Sequence, residues 1–441
     1  MEATAASGGA YRRMFPELPA LPSDEAFLRK LGTSCGLEGS SAVPDEKYDA
    51  SGAAGWTVIG QFIAHDITAD RSPLVDRANV EALENVRRQK LNLEFLYGSG
   101  PAGDPYLYDV HDTAKLLLGI NDAGDADDLQ RNAQGIAIIA DPRNDSHLLV
   151  SQMQVLFSKF HNRIVDWLRE KGTAEAHIFA DAQRLVQWHY QWIILHEFLP
   201  ELIGGPLTNA IIAGDSRYYH PGADPFIPLE FADAAYRYGH GQLRESYRLN
   251  TTSAAVPLFP ELVGFRPVPA SRVVNWAAFF DVPGRTPAQR AKKMDGLVCS
   301  SIMNLPLALT GDVEIEAFHS LAARDLQRGH AVGLPSGETV ARHIGATPLT
   351  REQTGLASLG WDQETPLWYY VLKEAEVQGN GDRLGAVGGR IVGEVLVGLL
   401  DHDASSFRAS RPDWRPELPS QAVGTFTMAD LVMLADALPS L

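Results

Sequence analysis

Two cysteines in 441 residues, Cys35 and Cys299, are too few for a multi-bridge framework, so the fold has to hold without disulfide staples. Both are expected to be reduced. Positive charge is also short: 38 lysines and arginines stand against 55 acidic residues, giving a formal net charge of −17. Such a surface repels nucleic acid and anionic lipid, both of which are bound through basic patches. Long apolar runs are missing as well. The most membrane-like stretch, GAVGGRIVGEVLVGLL, carries Arg390 and Glu394 and falls short of the roughly 20 apolar residues a span needs. A buried helix is the expectation there. The opening residues, MEATAASGGAYRRMF, hold no apolar core of the kind an export signal has, which points to the cytoplasm, with secretion by a non-classical route as the alternative.

What is present is an ordinary globular composition, 45% hydrophobic and 21% charged. Residues 1–50 are rich in Gly, Ala, Ser and Pro without a sustained period, and read as a partly irregular N-terminal arm. No repeat or composition break divides residues 51–441, which read as one large, mainly α domain with few short strands. Leu149, Met153, Leu156, Phe160, Ile164 and Leu168 recur every three or four positions and predict a helix over 145–171, capped by Asn144 or Asp145 and stopped by Gly172. A second helix is predicted over 174–199, ending before Pro200, with others at 55–66, 288–304, 366–377 and 385–402. GIAIIAD at 135–141 is the best strand candidate.

Three segments carry chemistry. In GQFIAHDIT, Gln61 and His65 lie one helical turn apart and share a face, while the absence of a second histidine at that spacing makes zinc a poor fit. In ADPRNDSHLLVSQMQVLFSKFHNRI, Arg143 sits at a rigid junction before the long helix; a surface arginine paired with Asp141 or Asp145 is the plainer reading of the segment alone, and His161 reads as packing. In AYRYGHGQLRESYRLN, His240 follows a glycine that would admit a flat ligand, among Tyr236, Arg237 and Tyr238. Each segment by itself is weak evidence.

Together, in this order, they resemble the animal-type heme peroxidases, the family that includes myeloperoxidase and relatives of cyclooxygenase, and in particular its bacterial branch. QWIILHEFLPELIG, DLQRGHAVGLPSG, TPLWYYVLKEAEVQGNGDRLGAVGGRIVGEVLVGLL and GTFTMADL extend the resemblance over roughly residues 55–435. It implies a mainly helical heme-peroxidase domain with heme between the His65 helix and the His240 segment. His65 would move a proton between the two oxygens of hydrogen peroxide, and Arg143 would stabilise the charge that develops as they part. His240 would be the axial ligand of the heme iron, oriented by Asp325 where the family usually has asparagine; the carboxylate would lower the iron's potential. Arg237 and Arg328 would meet the heme propionates, surface ion pairs being the bland alternative.

Departures from the mammalian pattern refine this. The residues that tether heme through esters are replaced by Ala64 and Ser146, which implies noncovalent heme b and argues against chloride oxidation. Gln61 matches a residue close to the halide in relatives, so bromide or iodide stays open. Arg237 stands where the oxygenase members carry a radical tyrosine, which argues against fatty-acid oxygenation by that route. Calcium is a further implication, through Asp66 and, in KLNLEFLYGSG, Asn92 and Glu94. The expected partners are hydrogen peroxide and a small reductant such as a phenol, an aromatic amine or a halide. A fatty-acid or natural-product oxygenase and a degenerate, non-enzymatic heme binder are the alternatives.

Overall fold

The computed structural model describes residues 9–37, 46–69, 83–222, 224–250, 253–310 and 316–436. Strand β1 (Gly9–Arg12), helix α1 (Glu25–Ser34), strand β2 (Asp49–Ala53), helix α2 (Gly55–Ile67) and strand β3 (Glu84–Asn85) come first. The long helices α3 (Leu148–Glu170) and α4 (Glu175–Ile193) are followed by the short strands β4 (Ile227–Pro228) and β5 (Arg290–Lys292). Helices α5 (Leu321–Ala331), α6 (Leu367–Gly379), α7 (Ala386–His402) and α8 (Met428–Ala435) complete the elements that matter here. Sheet is marginal: β1 pairs antiparallel with β3 and parallel with β4, and β2 pairs antiparallel with β5. The fold is mainly α.

The six stripe residues from Leu149 to Leu168 are all buried, and α3 packs by that face against α2, α4 and α8. Its start differs from the prediction. Asp141 caps a separate 3₁₀ turn, Pro142–Asp145, and His147 rather than Asn144 or Asp145 caps α3, its Nδ1 accepting from the Leu149 N–H at 3.2 Å. Asn144 is thereby released from capping and turned inward.

Nor does the second predicted helix stop at Pro200. After Ile193 it widens into a π turn, Ile194–Phe198, in which the Leu199 N–H reaches back to the Ile194 carbonyl, and then resumes as Leu199–Ile203. The wider turn relieves the crowding that a proline ring causes in a regular helix. Helix α7 is buried along most of its length, as predicted, and its Glu394 carboxylate accepts the Tyr218 and Tyr219 N–H groups. No helix among the described residues is long and apolar enough to cross a membrane.

Two predicted elements are not found. Residues 288–304 form β5, a loop and a 3₁₀ turn instead of a helix. Asp295 is the reason: its carboxylate takes the Leu297 N–H and the buried Lys292 ammonium, closing a turn at Gly296 that competes with helical pairing. At 135–141 the Asn132 side chain captures the Ile136 N–H, Gly135 turns at φ 78°, Ile136 stands exposed, and one bridge between Arg131 and Ala137 replaces the strand.

The described part of the N-terminal arm is structured. Leu28 and Leu31 of α1 are buried, and α1 lies on α5 so closely that a Cβ on Gly32 would collide with the Ala323 backbone. The Ser320 hydroxyl, which caps α5, also donates to the Gly32 carbonyl at 3.0 Å.

Candidate active site

A cavity of about 400 Å³ brings together His65, Gln61, Arg143, Arg237 and His240. This lies in the usual range for a small-molecule or cofactor site, roughly 300–1,000 Å³. One wall is α2 with the turn into α3; the other is the segment 231–243 with residues from 302 to 324. The walls touch where Gly60 faces Tyr238, whose hydroxyl lies 3.1 Å from where a Cβ would sit. Gly239 is less constrained than its place beside His240 suggested, since a Cβ there would meet only the Thr57 methyl at 3.9 Å.

On the α2 wall, His65 Nδ1 lies 2.7 Å from Asn144 Oδ1, and the Asn144 amide N–H donates to Gln154 Oε1 at 2.7 Å. Because Gln154 consumes the amide's donor side, Asn144 presents oxygen to the imidazole. Nδ1 therefore carries the proton and Nε2 keeps a lone pair. Burial, reinforced by the Arg143 charge and opposed by the Asn144 hydrogen bond, pushes His65 down to about 4. The ring is a neutral base over the whole physiological range. Gln61, one turn earlier, is exposed to the cavity.

Arg143 is paired with Asp141, as its plainer reading had it, and still lines the cavity. Its Nη2 donates to Asp141 Oδ2 at 2.7 Å and to the His65 carbonyl at 3.0 Å, and its Nη1 donates to the Thr68 carbonyl at 2.7 Å. Arg87 grips the same Asp141 carboxylate at 2.5 Å. Burial alone would raise Asp141, yet the hydrogen bonds and charge of Arg143, with Arg87, hold it well below the ordinary carboxylate range. Asp145 serves Arg131 instead.

From the sequence Asn144 was read only as a candidate helix cap, and Gln154 was not singled out. Replacing Asn144 by leucine frees His65 from its fixed tautomer, and a roughly tenfold fall in the rate of reaction with hydrogen peroxide is expected, the order of one buried hydrogen bond. Since that bond raises the His65 pKa, its loss moves the acid limb of the rate, set near pH 4 in the parent, to lower pH. Stopped-flow rates between pH 3 and 7 check both statements; an unmoved limb and an unchanged rate would remove Asn144 from the argument.

On the other wall, His240 Nδ1 lies 2.5 Å from Asp325 Oδ2, and the fully buried Asp325 also accepts from Arg237 Nη1 at 3.3 Å. His240 sits in a 3₁₀ run, Ala235–Gln242, and Asp325 on α5, so the pair joins two elements. With Nδ1 engaged, Nε2 is the nitrogen left for a ligand. Tyr236 lines the cavity, stacked on Phe231 at 4.4 Å, and its buried hydroxyl has no hydrogen-bond partner among the described residues.

The arginines divide differently from the sequence reading. Arg237 lines the cavity, whereas Arg328 is absent from its lining and lies 3.6 Å from Asp233. Arg324, one turn earlier on α5, lines the cavity in its place. Sequence position gave no signal for it, because the helical phase of α5 relative to the cavity depends on packing against α1.

Asp66 points away from the cavity, as expected one residue after His65, and its Oδ2 accepts the Leu93 N–H at 3.0 Å. This brings Asp66 to the loop holding Asn92 and Glu94. Among the described residues Asp66 Oδ1 and Glu94 Oε2 are buried without hydrogen-bond partners, and burial together with the nearby Glu94 raises Asp66 to about 7. The Asn92 side chain is occupied with the Glu94 N–H, while its carbonyl accepts from Gln187. No group of three or more acidic, histidine or cysteine side chains placed to hold a metal occurs among the described residues.

The donor set suits heme. A histidine with its second nitrogen fixed by a carboxylate offers an axial ligand, apolar residues such as Val58, Phe231 and Leu321 line space that a macrocycle could fill, and the arginines of the lining offer donors to acidic groups on such a ring. The chain belongs to the animal haem peroxidase family, whose model matches residues 107–357, more than half of its length. That match takes in Arg143, His240 and Asp325; His65 lies ahead of it.

Among its relatives, the chain is 30% identical to Peroxidase mlt-7 of Caenorhabditis elegans over 110 residues, 24% of this chain and 15% of that one. It is 26% identical to the chorion peroxidase of Drosophila melanogaster over 218 residues, 47% of this chain and 26% of that one. The matches thus span well under two thirds of these relatives. Among solved structures it is similar to Peroxidase A from Dictyostelium discoideum, with a TM-score of 0.67 at 14% identity over 98% of this chain and 94% of that one. The Oryza sativa fatty acid alpha-dioxygenase gives 0.61 at 15% identity over 88% and 76%. At such identities the likeness is one of fold.

Proposed function

We propose that the chain is a heme-dependent peroxidase that reduces hydrogen peroxide and draws electrons from small organic reductants, phenols and aromatic amines, or from bromide or iodide. One observation carries the reading: a single cavity is lined by two imidazoles whose buried partners differ, an amide oxygen for His65 and a carboxylate for His240. The first fixes the proton on Nδ1 of a ring that burial and the Arg143 charge keep neutral, leaving Nε2 basic; the second drives a ring toward a strong metal donor.

Bound heme would supply the redox-active iron that takes up the oxidising equivalents of peroxide. His240 would hold it through Nε2, with Asp325 fixing the ring. His65 would accept a proton at Nε2 from one oxygen of the peroxide and return it to the other, which leaves as water. Arg143, locked by Asp141 and two backbone carbonyls, places a permanent positive charge beside that site. Ala64 and Ser146 both line the cavity and neither can form an ester, which supports noncovalent heme b. For the buried, unpartnered oxygens of Asp66 and Glu94 we infer a hard cation such as calcium.

Oxygen insertion into a fatty acid is the second reading. It rests on the unpartnered Tyr236 hydroxyl in the cavity wall. Heme-reconstituted protein, given hydrogen peroxide and a simple phenol, is expected to turn the phenol over and to release its heme into acidified acetone. A product carrying both atoms of dioxygen from a fatty acid would replace this reading with the oxygenase. Stoichiometric heme without turnover of either substrate would leave only a heme binder. Dialysis against a chelator is expected to lower the melting temperature if the Asp66 site holds a cation.

A further inference from the structure

We propose that Trp56 is a second point of entry for electrons, where a positively charged one-electron donor too large for the cavity is oxidised from outside. The inference rests on the peroxidase reading above and extends its reductants beyond small molecules.

Trp56 stands in the first turn of α2, the helix that carries His65, and is partly exposed. Aromatic rings lead inward from it without a gap. Phe280 meets the indole edge-on at 5.2 Å and lies 6.1 Å from Trp276; Trp276 is 5.4 Å from Phe279, which stacks at 5.8 Å on Tyr247 in the cavity wall. A shorter path runs through Tyr238. Trp56, Phe198 and Tyr238 line one void of about 20 Å³, room for a single water, and Tyr238 also lines the cavity. Electron tunnelling weakens steeply with distance, and indole and phenol are the aromatic side chains that give up an electron most readily. Trp56, Trp276, Tyr238 and Tyr247 are therefore stations placed for transfer between the surface and the cavity.

Packing alone accounts for the buried rings; the exposed end is what selects a donor. Glu201 and Asp382 line the void beside Trp56, and neither carboxylate has a salt-bridge partner among the described residues. A Cβ on Gly52 would lie 2.9 Å from Glu201 Oε1 and 3.9 Å from the Trp56 ring, so glycine lets the carboxylate and the indole come together. Asp382 accepts the Ser51 N–H at 2.7 Å, and Arg290, whose charge reaches Glu201, is paired with Asp281 at 2.6 Å. An indole that has lost an electron is a cation, which such carboxylates stabilise. The same charges attract a cationic donor and hold it against the ring, and the net charge of −17 works in the same sense from farther away. Hydrogen peroxide takes two electrons and two protons to give two waters. Two donors supply the electrons in turn, each refilling the vacancy that the cavity has drawn from the indole, and solvent supplies the protons.

Heme-loaded parent, Trp56→Phe, Trp56→Tyr and the double variant Glu201→Gln with Asp382→Asn are given hydrogen peroxide and one of two donors. Reduced cytochrome c is a cationic protein that cannot enter a cavity of about 400 Å³; guaiacol is a small phenol that can. The parent is expected to oxidise both. Trp56→Phe should lose most of its rate with cytochrome c and keep the parent rate with guaiacol, and Trp56→Tyr, which restores an oxidisable ring, should recover part of the loss. The double variant should be about tenfold slower with cytochrome c at low ionic strength and converge with the parent in high salt. Frozen after peroxide alone, the parent should give a tryptophan radical signal in electron paramagnetic resonance that Trp56→Phe lacks. Equal cytochrome c rates in parent and Trp56→Phe overturn the proposal, as does a parent that oxidises guaiacol alone. A loss on both donors, or one that Trp56→Tyr does not relieve, assigns Trp56 to packing and overturns it as well. Should the Trp56 variants fail to fold, an unchanged cytochrome c rate in the double variant overturns it. A parent that oxidises neither donor fails at the earlier step, and defeats the peroxidase reading together with this one.

Discussion

Heme-loaded His65→Ala protein is expected to react with hydrogen peroxide about 10²- to 10⁴-fold more slowly than the parent, the usual penalty for removing a positioned general base. The size follows from how completely the ring is prepared. Asn144 fixes the proton on Nδ1, burial and Arg143 hold the pKa near 4, and the Arg143 guanidinium donates to the carbonyl of His65 itself. Alanine removes the base and leaves the charge, so the resting absorption spectrum and heme affinity should stay close to those of the parent. The rate constant comes from stopped-flow mixing over a range of peroxide concentrations. A loss below tenfold would mean that the proton moves through solvent or another group of the cavity.

His240→Ala is expected to be as severe by a different route. Removing an outer partner of a metal-bound histidine commonly costs about 10- to 100-fold in metal affinity; removing the ligand itself should exceed this, and the protein should no longer retain stoichiometric heme through gel filtration. Asp325→Asn grades the same contact. The carboxylate stabilises the more positive, oxidised iron, so the amide should raise the reduction potential, by about 60 mV for each tenfold change in relative affinity for the two oxidation states. Spectroelectrochemical titration of the two proteins reads the shift directly. An unchanged potential in Asp325→Asn, or parent-like heme retention in His240→Ala, would dislodge His240 from the axial role.

Much of this architecture was legible because it depends on local periodicity. The stripe from Leu149 to Leu168 could bury itself in only one way, and the helices around 55–66, 366–377 and 385–402 followed for the same reason. Prediction failed where a side chain competed with the backbone: Asp295 closes a turn inside the expected 288–304 helix, and Asn132 does so ahead of the expected strand. At the site, motif wording singled out His65, Arg143 and His240, which the fold brings to one cavity, and Asp325, which it sets against His240. What it missed depends on how elements meet. Asn144 was read as a cap, whereas His147 takes that role and Asn144 turns to His65. Arg324 and Arg328 lie on one helix, and only docking of α5 on its neighbours decides which of them reaches the cavity.

That docking also imposes an order on how the molecule is made. His65 and Asn144 are 79 residues apart, and His240 and Asp325 are 85 apart. The Ser320 contact that seats α5 on α1 spans 288 residues. During synthesis, domains form from the amino terminus as chain becomes available, so the pair on the α2 wall can assemble long before its counterpart. The carboxylate that orients His240 arrives only when α5 emerges and finds α1, which has by then waited through nearly three hundred residues. A chain cut short before residue 320 would therefore lack both the helix that bears Asp325 and the contact that seats it, and with them the means of orienting His240.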